Sequence, residues 1–350
     1  MRAFGPVVAA ALAALFVLPA AIPSARAADV PNAPPALTVY SDRHQTEDAQ
    51  LFAQFTKATG IPVDLVDEDF DPLLERLTKE GQHTGADLVL SVGAATLWRC
   101  AQAGLLQPIT SETILQAVPA NLRDKTNQWI GLVYWARVIA YEKDRFKPED
   151  VANYEDLADP KFQGQILVRS ASSLYNQALV ASMIASLGTA PTETWARGLV
   201  ANLARPPQGG DTNQLQAMAE GEGSVSIINT RYWARFAASD KVTEQEVVAN
   251  VGLAFPNQAN RGTEVDIAGA GISRWSAHPR AAAMLLEFLL KPEVQKQFAA
   301  ANFEYPVVAG VEPAPVLAGL GPFKIDSLAV GKLGKFAPEA DEAMARAGWE

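Results

Sequence analysis

The chain has 350 residues, 49 % of them hydrophobic, a formal net charge of −10 and one cysteine. That length predicts two domains with sizeable cores, and the acidic balance argues against nucleic acid or an anionic membrane surface as a partner. A lone cysteine, Cys100, excludes an internal disulfide, a zinc ribbon or a thiolate cluster, and its helical context reads as buried filler.

Met1-Arg2, an apolar stretch over residues 7–21 and the pattern Ala25-Arg26-Ala27 predict a secretory signal peptide over residues 1–27. Pro19 and Pro23 interrupt the apolar run, which is also short for a membrane span, and no lipobox cysteine follows it. The expected product is a soluble periplasmic monomer beginning near Ala28. Pro31, Pro34 and Pro35 mark a lead-in.

From there strands and helices alternate. Residues 37–40 read as a strand, 46–59 as a helix with Leu51, Phe52 and Phe55 on one face, and 63–66 as a strand. Residues 72–80 form a helix striped by Leu73, Leu74 and Leu77. Residues 86–91 form a strand, and 96–103 a helix stopped by Gly104. The alternation predicts parallel βαβ units. Residues 130–141, rich in β-branched and aromatic side chains, read as a strand pair crossing into a second lobe. That lobe has strands at 165–168 and 224–228 and helices at 176–187, 192–203 and 212–219, the last capped by Asp211. Residues 248–255 and 262–272 read as the return crossing. Helices follow at 279–290 and 292–301, then an irregular tail after Pro313 and a helix over 338–347.

The expected fold is two-lobed α/β, each lobe a mostly parallel sheet flanked by helices. One lobe takes residues 28–134 and 262–310, the other 135–261 and 311–350. A chain that leaves a lobe, builds a second and returns has a cleft between them, where ligands favour the carboxyl ends of strands. Three segments fall at such ends: Ser41-Asp42-Arg43-His44, Tyr175-Asn176-Gln177 and Asn229-Thr230-Arg231-Tyr232-Trp233. They bring one imidazole and two phenols, with an arginine beside the second phenol. Hard cations such as ferric iron take oxygen donors and accept imidazole, and a cation displaces the phenol proton. His83 and His278 read as isolated and exposed, and the run Asp67-Glu68-Asp69 as a solvated acidic turn, since it lacks the glycine and terminal glutamate of a calcium loop. Ser170, Ser172 and Ser173 offer either an anion-holding helix start or ordinary capping. The sequence shows no G-x-S-x-G, H-E-x-x-H or paired acidic motif, which points to binding and not catalysis.

Seven stretches, residues 37–44, 98–106, 154–164, 169–177, 202–210, 229–235 and 302–307, together resemble the ferric-iron-binding periplasmic proteins of bacterial ABC importers. The similarity covers nearly the whole mature chain. It implies the type II binding-protein fold with two crossover strands, an inner-membrane ABC permease as partner, and ferric iron as cargo. It carries over His44, Tyr175 and Tyr232 as ligands. Relatives have tyrosines where this chain has Gln45 and Arg231. The departure leaves three outcomes open: an anion such as carbonate or citrate held by Arg231 and Arg43, a preference for ferrous iron, which needs less negative charge, or loss of metal binding; Gln45 is expected to bond a water, and Arg231 has a carboxylate as its alternative partner. The alternative cargo is another oxyanion or small organic anion.

Overall fold

The computed structural model describes residues 36–350; the predicted signal peptide lies outside the described residues. Its strands are β1 (Leu37–Ser41), β2 (Val63–Asp67), β3 (Leu88–Val92), β4 (Leu106–Gln107), β5 (Ile130–Glu142), β6 (Ile166–Leu167), β7 (Val225–Asn229), β8 (Val251–Ala254), β9 (Val265–Ser273) and β10 (Tyr305–Pro306). Their order is β2-β1-β3-β9-β5-β7-β6, with β4 beside β9 and with β8 and β10 beside β5.

β5 organises this arrangement. The predicted strand pair at 130–141 is one uninterrupted strand of 13 residues, which at about 3.3 Å per residue spans roughly 43 Å and can serve two sheets. No turn residue interrupts its apolar run, so nothing folds it back. Its first half pairs with β9 through Ala136, after a register shift between Gly131 and Val133. From Arg137 onward it pairs with β7, and from Ile139 with β8. The expectation of mostly parallel sheets needs correction. Among the described strands, parallel pairing is confined to β1 with β2 and β3, and to β6 with β7; every pairing of β5 and β9 is antiparallel. The crossing strands run against their neighbours, a feature that βαβ alternation does not encode.

Helices 46–59 and 292–301 fall where predicted, and Leu51, Phe52, Phe55, Leu73 and Leu77 are buried as the periodicity required. Cys100 is fully buried and free. Other boundaries move. Residues 248–250 end a helix, Val242–Asn250, and only Val251–Ala254 forms the strand. Asp211, expected as the cap, is instead the first residue of its helix, with Gly210 at the cap position, and is buried and paired with Arg137 at 2.9 Å. The final helix is Gly331–Ala347 and contains Pro338. Its Leu333 belongs to the core around β1, β3 and β9, whereas Ala340 and Met344 belong to the core around β7. The tail expected in the second lobe therefore serves both cores.

Candidate metal-binding site

His44, Gln45, Tyr175, Arg231 and Tyr232 line one cavity of about 360 Å³, together with Asp42, Arg43, Asp69, Phe70 and Asn302. Strand ends place His44 and Tyr232, and a helix start places Tyr175. His44 lies just past β1. Its φ of 50° is unusual for a residue with a side chain, and the Asp67 carboxylate at the end of β2 accepts from its backbone N–H at 3.3 Å. Tyr175 is the second residue of the helix Leu174–Leu187. The neighbouring Asn176 fixes this helix start: its Nδ2 donates to the carbonyls of Arg169 and Ser170, and its Oδ1 accepts from Arg137 at 2.7 Å. Tyr232 lies in the first turn of the helix Thr230–Ala237, directly after β7.

The two phenols are neighbours, with ring centroids 6.4 Å apart in an edge-on arrangement. The Arg231 guanidinium packs against both, 4.5 Å from the Trp135 ring centroid, 5.2 Å from that of Tyr232 and 5.5 Å from that of Tyr175. One terminal nitrogen donates to the Tyr175 hydroxyl and reaches the Tyr232 hydroxyl at 3.5 Å. The other donates to Glu304 Oε1 at 2.7 Å. Burial makes Tyr175 harder to ionise than an ordinary tyrosine. Burial opposes ionisation of Tyr232 as well, but there the Arg231 charge outweighs it and the phenol is more acidic than usual. The pair is thus poised to lose one proton readily and the second with more difficulty.

His44 is half-exposed, and both ring nitrogens meet carboxylates: Nδ1 is 3.0 Å from Asp67 Oδ2 and Nε2 is 3.1 Å from Asp69 Oδ1. These contacts, Asp67 foremost, raise its pKa above the usual histidine value. The acidic turn predicted to be merely solvated is therefore the seat of the candidate histidine ligand. Only its spacing against β1, invisible in sequence, could have shown this.

Of the residues assigned to an anion, Gln45 donates from Nε2 to the Arg43 carbonyl at 3.0 Å. Arg43 is buried and donates to Asp48 at 2.9 Å, with a terminal nitrogen 3.6 Å from Glu304 Oε2. Arg235 is bonded to Asn302. Glu304, missed in the sequence reading although it lies within the 302–307 stretch, is fully buried and joins Arg43 to Arg231. Asp42, within the first of the three segments but given no role there, accepts from Ser91 Oγ at 2.9 Å and Val92 N at 2.8 Å; burial still pushes its carboxyl up to about 6. Ser173 precedes the Tyr175 helix but its hydroxyl is buried without a partner, and Ser170 and Ser172 bond each other. His83 is exposed, whereas His278 is half-buried with Nδ1 3.4 Å from Asp87.

Among the described residues, no group of three or more His, Cys, Asp or Glu side chains is arranged to hold a metal. A larger cavity of about 490 Å³ beside the helix Val242–Asn250 is lined by Glu142, Glu220, Glu244 and Glu246 without an imidazole or a phenol, and holds none of the predicted site residues.

The chain is 41 % identical over 328 residues to iron uptake protein A1 of Synechocystis sp., covering 94 % of this chain and 91 % of that protein. It is 30 % identical to the major ferric iron-binding protein of Neisseria meningitidis, over 80 % and 84 % of the two chains. Among solved structures, the Trichodesmium IdiA (FutA) complex with iron and citrate superposes with a TM-score of 0.87 at 45 % identity, covering 90 % of this chain and 100 % of that one. The fold is accordingly that of a two-lobed type II periplasmic binding protein. Residues 50–319 match the family model for bacterial extracellular solute-binding proteins, and the chain belongs to that family.

Proposed function

We propose that this protein captures ferric iron in the periplasm, in the cavity lined by His44, Tyr175 and Tyr232, and delivers it to an ABC permease in the inner membrane. The observation that carries this reading is the convergence of two neighbouring phenols and an imidazole, from three distant segments, on one cavity. Phenolate and imidazole donors match a hard trivalent cation, and similarity to proteins named for ferric iron supports the same cargo. The work is binding and release: closure of two lobes around a ligand buries it, and opening frees it. The lobes would be those expected from the sequence, residues 28–134 with 262–310 and residues 135–261 with 311–350, hinged where β5 changes partners at Ala136 and Arg137. Another oxyanion as the cargo itself is less well supported, because Arg43, Arg231 and Arg235 are all committed to protein partners.

Titration of the purified protein with ferric nitrilotriacetate tests the reading. The expected result is a visible phenolate-to-iron charge-transfer band that saturates at one equivalent and is lost in the Tyr175→Phe, Tyr232→Phe double variant. A wild-type protein that stays colourless refutes it.

A further inference from the structure

Resting on that function, the cavity poses a charge problem. Two phenolates bring two negative charges against three on ferric iron, and the imidazole is neutral when it binds a metal. Arg231 adds a positive charge at the phenols, which Glu304 balances at 2.7 Å. Counting these groups alone, the predicted donors are one negative charge short of a ferric ion.

We infer that Asp69 is a further ligand of the metal, adjacent to His44 in the coordination shell. Three observations carry this. First, Asp69 lines the same cavity as Tyr175 and Tyr232, whereas Asp67 does not. Second, Asp69 Oδ1 stands 3.1 Å from His44 Nε2. Two ligands at right angles, each about 2.1 Å from a metal, are about 3 Å apart. The pair already has the separation of neighbouring ligands, and a metal would replace the proton they now share. Third, the two carboxylates are tied down unequally. Asp67 holds both Nδ1 and the backbone N–H of His44, as the outer partner of a metal-binding histidine does. Asp69 has no partner besides Nε2 among the described residues and is 85 % exposed, so it is free to turn toward a cation. In this arrangement Asp67 orients the imidazole and Asp69 supplies a hard oxygen and the missing charge.

The test is ferric nitrilotriacetate titration, with competing chelator, of the wild type, Asp69→Asn, His44→Ala and the double variant. An exposed Asp69 can be changed without disturbing the fold, which circular dichroism would check. Asp69→Asn is expected to weaken ferric affinity at least tenfold. It should also move the phenolate band to longer wavelength, because a neutral ligand leaves the iron more electron-poor. The same substitution must still weaken binding and shift the band when His44 is already alanine. If it is silent in that background, Asp69 acts only by holding the histidine and the inference falls. If Asp69→Asn binds iron as wild type does with an unmoved band, the inference falls while the phenolate site stands. If the wild type gives no band at all, the function proposed above fails and takes this inference with it.

Discussion

Arg231 and Glu304, 73 residues apart in sequence, meet at 2.7 Å with both side chains buried. The contact ties the helix after β7 to the segment between the helix Pro292–Ala301 and β10. It also decides what Arg231 can do. The nitrogen facing Glu304 is not available to an incoming anion, and the other is on the Tyr175 hydroxyl. The positive charge beside the phenols is thus a fixed part of the protein.

This ion pair gives a stability prediction. Arg231→Met leaves Glu304 buried, with Arg43 3.6 Å away as its nearest cation. Breaking a buried pair from one side costs roughly 3–5 kcal/mol. Adding Glu304→Gln to Arg231→Met should recover most of that loss, as read by urea denaturation of both variants. The opposite pattern, unchanged stability in Arg231→Met with loss of any dependence of ferric binding on added citrate or carbonate, would mean that the arginine serves an anion instead.

Ferric loading should be linked to protons. Each phenol gives up its proton to the metal, so affinity rises with pH, by about tenfold per pH unit for each proton displaced. Tyr175 is harder to ionise than usual and Tyr232 easier. Each phenol that still carries its proton in the free protein contributes to the slope, and burial favours this for Tyr175. His44 adds a further proton wherever its carboxylates keep the ring charged. Tyr232→Phe should lower the slope of log affinity against pH by about one. An unchanged slope would show that this phenol does not bind as phenolate.

Much of the fold and half of the site were legible in the sequence, for definite reasons. Helix faces such as Leu51, Phe52 and Phe55 follow from periodicity alone, because one stripe must leave water. Tyr175 and Tyr232 stood out as phenols just beyond apolar runs. The direction of β5 and β9 did not show, because a buried strand reads the same whichever way its neighbours run. Nor did the partners of His44 and Arg231, because Asp67, Asp69 and Glu304 become informative only when β1, β2 and the 302–307 stretch are brought side by side. An acidic turn looks solvated until a histidine is found against it.

Asp266 on β9 should make stability depend on pH in an unusual sense. Its side chain is buried and accepts from the N–H groups of Ala94 and Ile267, both at 2.8 Å. Burial still outweighs those bonds and raises its pKa to about 6. In the unfolded chain it titrates near ~3.9. Between these values the folded state binds more protons than the unfolded one, so stability falls as pH rises from about 4 to about 6. A shift of about two units corresponds to roughly 3 kcal/mol. Asp266→Asn keeps an acceptor for both N–H groups and should remove that component, giving a flatter curve of unfolding free energy against pH. A wild type and variant with parallel curves over this window would show that Asp266 titrates normally.

Gly269, also on β9, sits opposite Ser91 of β3 and Gly131 of β5 at the centre of the first sheet. A methyl group there would stand 2.3 Å from the Ile130 carbonyl oxygen and 2.9 Å from Leu97 Cδ1. The obstacle is backbone, which cannot rotate away as a side-chain end can. Gly269→Ala must therefore push β9 from β5, and overpacking of this kind typically costs about 1–3 kcal/mol. Because these two strands carry the chain between the sheets, the displacement should also loosen the alignment of the phenols with His44 and lower ferric affinity. Gly85→Ala is the control: nothing lies within 4 Å of the added carbon, and losing a glycine from the unfolded chain should leave stability equal or slightly higher. Thermal unfolding and ferric titration of the two variants decide the matter. Gly269→Ala with wild-type stability and affinity would mean that β9 can shift along β5 without consequence for the site.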